Sequence, residues 1–446
     1  MANNVWNNSD ADNDANNPNN WSLGHVPTGT DVAYFDATSV ANCTLSDDIS
    51  CAGFNVTSNY SGKLDLAGYA ITTTGDMTFD GTGEVDCGAS TITCAGNFDS
   101  VDQATWTCGT SVLVMTGTSK TLAGGTSYAK RFYDITISGT ITTASGMNIG
   151  HTCIITGTFT VNHNVGGSDI TCCLHIQGTG VLNGSATFQI SYIIEFSSSG
   201  EISVSTLWLR VGRQIVAGTY KSATVKIDDY TNNNYTCVFG AGTYVFEGDV
   251  TFDYNGDATY TLDFATNNPD LEFQGDVTVK NSGGGTLVWT KGTGTISFTG
   301  SSAQNIDLNG LTIEDLVVNK TNVTDTVTFT GEWVSDSFTA TKGTVDFNGQ
   351  TLETAGDFTM GSNSQVVSDA DAMDGVDLTV GGNLSLRGES DDRLTFNATS
   401  SWTLAVGGTA YAYFVETEYS DASGGNVIRA DDGTSVDGGN NVNWDF

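Results

Sequence analysis

The chain has 446 residues, with 51 Asp and Glu against 15 Lys and Arg, a formal charge of -36, 54 glycines, only 3 prolines and 38% hydrophobic residues. The apolar content argues against disorder, and the acidity argues against binding nucleic-acid phosphates or an anionic membrane surface. No apolar run approaches the roughly 18 residues of a membrane span, so no membrane insertion is expected.

Residues 1–40 are rich in Asn and Asp, carry Trp6 and Trp21, and hold two of the prolines, Pro18 and Pro27. This composition predicts an N-terminal cap or attachment segment covering the open strand edges at the start of a repetitive body. The opening MANNVWNNSD lacks the basic-then-apolar profile of a signal peptide. A chain starting there is expected to be made in a cytosol and released by something other than general secretion. Asp10, Asp12, Asp14 and Asn16 alternate as in the D-x-D-x-D opening of a calcium loop. Ala15 stands where that loop needs Gly, and Trp21 where it needs a bidentate Glu. Calcium at these residues and a plain hydrated loop are the two readings.

The body, 41–410, is organised around 64–98. There LDLAGYAITTTGDM is followed 21 positions later by VDCGASTITCAGNF, so that Leu66 answers Cys87, Ile71 answers Ile92, Gly75 answers Gly96 and Met77 answers Phe98. The pattern returns at VDFNGQTLETAGDF, with Phe347, Leu352, Gly356 and Phe358 in the matching places. A Gly, then Asp or Asn, then an alternating triplet recurs at Gly75, Gly96, Gly248, Gly275, Gly356 and Gly382. Gly suits a corner, Asp or Asn bonds the turn, and the triplet turns apolar members inward and Thr outward. One polar face distinguishes these strands from parallel strands buried on both sides. The prediction is all-β: a parallel right-handed β-helix, or β-solenoid, with an N-terminal cap and a C-terminal closing segment. At about 21 residues per turn and about 4.8 Å per turn, the body is expected to be roughly 85 Å long.

A larger duplication overlays the small one: residues 112–137 resemble 295–318, with Met115 answering Phe298 and Asp134 answering Asp315. Between them, 161–235 is less regular and carries Trp208, Arg210, Arg213, Lys221 and Lys226. These mark either a contact for an acidic partner or stems covering local apolar surface. In the closing segment, 411–446, Trp444 and Phe446 either close the last turn or anchor a partner. Cys43, Cys51, Cys87, Cys94, Cys108, Cys153, Cys172, Cys173 and Cys237 fall mostly in strand-like contexts and read as reduced thiols in a core. No paired CxxC marks a metal site.

Glycoside cleavage on such a coil needs two carboxylates across a groove. The neighbours are Asp228 with Asp229, the group Asp369, Asp371, Asp374 and Asp377, and Glu389 with Asp391, Asp392 and Arg393. With 51 acids such neighbours arise by composition alone, so no residue is assigned as catalytic. His25, His151, His163 and His175 are scattered, and no phosphate loop or dinucleotide motif is present.

The opening NNWSLGHVPTGTDVAYFD, the units LDLAGYAI and VDFNGQTL, and the ending YSDASGGNVIRADDGTSVDGGNNVNWDF carry a resemblance. On these the chain resembles β-helical virion proteins of tailed, especially marine, bacteriophages, and more loosely the repeat regions of bacterial surface proteins. The resemblance implies a tail fibre, spike or capsid protrusion assembled in the host cytoplasm among other virion proteins. It offers a homotrimer as one assembly and host surface glycan as one contact, and transfers no catalytic residue. The alternatives are a polysaccharide-degrading tailspike and a cell-surface adhesin.

Overall fold

The computed structural model describes residues 1–167, 173–191, 193–196, 200–210, 214–229 and 233–446. It is all-β, with parallel strands stacked coil upon coil as a β-solenoid; among the described residues the only helical pieces are single 3-10 turns at Pro18–Asn20 and Tyr128–Lys130. No helix is long and apolar enough to cross a membrane. The chain divides into two compact units, 1–212 and 213–446.

In the first unit one column of strands passes through Ile49, Ile71, Ile92, Leu113, Ile135, Cys153 and Leu174, each hydrogen-bonded in parallel register to the next. A second column runs from Ala2–Val5 through Asp31–Phe35, Gly53–Val56, Met77–Phe79 and Phe98–Asp99. A third links Cys43, Leu64, Val85 and Trp106. The expected pairs Ile71–Ile92 and Met77–Phe98 are therefore direct neighbours on adjacent coils.

In the second unit a comparable column passes through Tyr244, Leu271, Ile296, Leu316, Phe338, Phe358, Leu384, Ala410, Ile428 and Trp444. Its steps range from 16 to 27 residues, wider than the period of about 21 seen at 64–98. The added residues sit in corners, such as the turn around Thr266 and Asn268. Within the two blocks that resemble each other in sequence, Val112 pairs with Asp134 and Met115 with Ile137, while Thr295 pairs with Asp315 and Phe298 with Val318.

Alternation decides which side chains enter the interior. In Met77–Phe79 the first and last residues are buried and Thr78 is half-buried; Phe358–Met360 repeats the pattern. The core of the first unit is threaded by Phe35, Phe54, Phe79, Phe98 and Phe132, with successive ring centroids 5.3 to 5.7 Å apart. The second has its own series, in which Tyr220, Phe246 and Phe273 stack at 5.2 and 5.3 Å. Each fully buried side chain of this kind contributes about 1.5–3 kcal/mol, with somewhat more for favourable ring geometry.

Residues 1–40 combine a first strand with a covering loop. Ala2–Val5 pairs with Asp31–Phe35, while Trp6 and Trp21 form an antiparallel bridge and pack their buried rings on Phe35. At the other end Val436–Gly439 and Trp444–Asp445 continue the parallel columns.

The repeated Gly-Asp/Asn element has a specific geometry. A Cβ on Gly96 would lie 2.2 Å from the carbonyl carbon of Gly75, and one on Gly382 2.6 Å from that of Gly356. The coils approach backbone to backbone there, and only glycine fits. The following side chain accepts a hydrogen bond from the coil above. Asp76 Oδ1 accepts from Asn97 N at 2.8 Å, and Asn97 Oδ1 from Thr121 N at 3.0 Å. Asp249 and Asp276 continue this in the second unit at 3.0 and 2.8 Å, as do Asp357 and Asn383 at 2.7 and 3.0 Å. All these bonds run between coils, and not within the turn of the Asp or Asn itself as its turn chemistry alone suggests.

Candidate functional site

The alternating polar side chains of the N-terminal loop turn their oxygens to donors of the loop itself and of Ser46 and Asp47. Asp10 Oδ2 accepts from Asn17 and Asn19 at 3.0 and 2.8 Å, and Asp12 Oδ2 from Asn17 at 2.7 Å. Asp14 Oδ1 accepts from Ser46 Oγ at 2.7 Å, and Asn16 Oδ1 from the backbone of Ser46 and Asp47 at 2.9 Å. The N–H of Asp14 and the amides of Asn17 and Asn20 hold the Asp12 carboxyl below the usual carboxylate range. Trp21, at the position of the calcium-loop Glu, is buried and donates its indole N–H to Ala15 O at 2.7 Å. Among the described residues no group of three or more His, Cys, Asp or Glu side chains is arranged to hold a metal ion.

Of the basic cluster, Trp208 and Arg210 belong to the first unit, where the Arg210 guanidinium lies 5.6 Å from the Trp208 ring centroid. Lys221 and Lys226 belong to the second and are exposed. Arg213 and Cys172 lie outside the described residues. Trp444 stacks on Phe446 at 5.5 Å and donates to Ser420 Oγ at 3.1 Å, so Trp444 takes part in the final coil while Phe446 stays partly exposed.

The acidic groups separate. Asp229 is buried in Thr224–Asp229. Glu389 and Asp392 exchange backbone hydrogen bonds across an exposed turn, and Asp392 accepts from Gln365 at 2.8 Å. Asp369, Asp371 and Asp374 do come together, joined by Asp346, Asn348 and Val367 around an open cleft of about 320 Å³; Asp377 is not part of its lining. Thr399 and Ser400 hydrogen-bond Asp374 and hold its carboxyl at about 2. A carboxylate so placed is a poor general acid, because it stays ionised across the whole neutral range.

A second concavity, about 610 Å³, lies over the coils that contain Glu272, Thr299, Lys320 and Lys342. Glu272 Oε1 accepts from Thr299 Oγ1 at 2.8 Å and from Gln274 at 3.1 Å. Lys320 is 2% exposed, its ammonium donating to Thr299 O and Gln304 Oε1. Burial pushes this ammonium down to about 8. No motif predicts the groove, since its lining is drawn from coils spaced 20 to 25 residues apart.

These features define a β-solenoid with polar outer concavities and no assembled catalytic set among the described residues. Against known proteins the chain matches no family model, no curated protein and no solved structure.

Proposed function

We propose that this protein is a structural and attachment component of a tailed-phage particle, a tail fibre, spike or capsid protrusion. Its mechanism is mechanical: stacked coils with packed cores resist bending and hold an outer surface away from the particle. The observation that carries the reading is the run of parallel coils from Tyr244 to Trp444, whose backbones approach closely at corners such as Gly275 and Gly382. Such coils are reused for many tasks, so the assignment to a particle leans on the resemblance of the opening, the repeats and the ending. Assembly in the host cytoplasm, alone or as a homotrimer, belongs to the same reading. Two measurements test it: the genes flanking the coding sequence, and mass spectrometry of the purified particles that those genes specify. Portal, terminase or tail genes and peptides of this chain in intact particles are expected. Flanking genes of a secretion system, or particles lacking these peptides, overturn it.

The acidic cleft at Asp346, Asp369, Asp371 and Asp374 favours a second reading, a polysaccharide-degrading spike. Incubation with host surface polysaccharide separates the two, because only the enzyme releases oligosaccharides.

A further inference from the structure

The outer face of Ala410–Tyr413 carries two adjacent exposed tyrosines. Ala410 and Ala412 point inward and are buried, while Tyr411 and Tyr413 stand outward, 38% and 39% exposed. Their rings lie 10° from parallel with centroids 6.4 Å apart. In the coil below, Ser385 and Arg387 are the register partners of Tyr411 and Tyr413. In the coil above, Arg429 is the partner of Tyr411, its guanidinium 6.0 Å from the ring centroid. Asp445 follows Arg429 one coil further on.

Lys63, Lys280 and Lys291 are paired with Asp86, Asp253 and Asp336. Arg387 and Arg429 are exposed and make no ion pair among the described residues. In a chain with 51 acids and 15 basic residues, two guanidinium groups without an ion pair here flank two exposed phenol rings. They stand two coils apart, about 10 Å along the coil axis.

We propose that this face binds an anionic polysaccharide. The C–H faces of successive sugar rings lie on Tyr411 and Tyr413, and the carboxylate or sulfate groups are held by Arg387 and Arg429. Tyrosine offers a flat amphipathic surface at low entropic cost. Arginine grips a planar carboxylate or a sulfate through two parallel N–H donors. A neutral partner would leave two guanidinium groups desolvated without compensation. An extended peptide is read through pockets for alternate side chains, whereas this is a row of rings standing on an outer strand. The proposal deepens the attachment reading and rests on it only for its biological setting. Binding by the isolated chain is measured without particles, so the two can fail separately.

The test is calorimetric titration of the full chain with oligogalacturonate, which carries carboxylates, with a sulfated galactan oligosaccharide, and with a neutral cello-oligosaccharide. At least one anionic saccharide should bind, more weakly as salt rises. The paired substitution R387Q/R429Q should lower that affinity by at least about tenfold, the loss expected for charge-assisted hydrogen bonds. Y411A/Y413A should do the same, and R387K/R429K should restore only part of the affinity. The four side chains face outward, so the thermal midpoint of each variant should match the parent. The proposal is overturned if neither anionic saccharide binds, if the neutral one binds as well, or if both paired variants bind like the parent. It is equally overturned if the variants change only self-association, which would assign the face to contacts between copies.

Discussion

At the scale of single residues, burial decides which reactive groups are silent. Of the cysteines among the described residues, Cys43, Cys51, Cys87, Cys94, Cys153 and Cys237 are buried, and Cys108 and Cys173 are half-buried. Loss of solvation pushes Cys51 up to about 11 and Cys237 up to about 12, so neither carries thiolate at neutral pH. In native protein near neutral pH, a thiol reagent should therefore modify Cys108 and Cys173 before Cys43, Cys51, Cys87, Cys94, Cys153 and Cys237, which should stay unmodified until denaturant is added. Peptide mapping checks this, and rapid modification of Cys87 or Cys237 would refute it. Lys320 is the opposite case, a base whose charged form burial disfavours. Its folded value of about 8 lies below the value of about 10.4 for an unfolded lysine. Between those values the unfolded chain holds more protons, so this lysine's contribution to stability rises with pH, and its penalty is fully present below about pH 8. The stability of the parent relative to Lys320→Met should then grow between about pH 8 and pH 10 and stay level below that window. Urea unfolding of the two proteins at each pH measures it, and a difference independent of pH would count against a charged, buried Lys320.

At the scale of the element, the Gly-Asp/Asn corner was legible in sequence as a repeat but not as a bond. Periodicity identifies positions that recur; it does not say which N–H faces the recurring oxygen. That depends on one coil lying directly above another, as Asn97 N lies above Asp76 Oδ1. The geometry asks only for an acceptor, since Asn97 and Asn383 serve where Asp249 and Asp276 serve elsewhere. Asp276→Asn should therefore be close to neutral, while Asp276→Ala should cost about 1 kcal/mol, the usual net value of one hydrogen bond. Equal losses for the two would mean that charge and not the bond matters. The glycine beside the acceptor makes a stricter demand. Gly96→Ala sets a methyl against the backbone of Gly75 and should cost roughly 1–3 kcal/mol through overpacking. Gly29→Ala, in open space within the same unit, should be nearly neutral. Thermal or denaturant midpoints of the pair decide the point.

At the scale of the whole molecule, inside and outside were readable in advance because the strand alternates with period two, and Ile71, Ile92, Met77 and Phe98 are buried as their pattern required. The outer surface was not readable in the same way. Tyr411 meets Arg429 after 18 residues but Ser385 after 26, and Lys342 comes to Glu272 only through several coils of unequal length. Surface neighbours depend on the running sum of corner lengths, which no local pattern records. What the sequence does set for the whole chain is its charge of -36. Many of these carboxylates, Asp76, Asp249, Asp276 and Asp357 among them, are on exposed corners where they accept hydrogen bonds between coils. The bonds hold coils together while the charges, repeated coil after coil, repel. Unfolding spreads those charges apart, so repulsion opposes the folded state and added salt should relieve it. The thermal midpoint at neutral pH should climb from about 0.01 M to about 0.15 M sodium chloride and then flatten, because the screening length falls from about 30 Å to about 8 Å over that range. Calorimetry at fixed pH measures the climb. A midpoint that falls with salt would mean that the ion pairs at Lys63, Lys280 and Lys291 outweigh the repulsion among the acids.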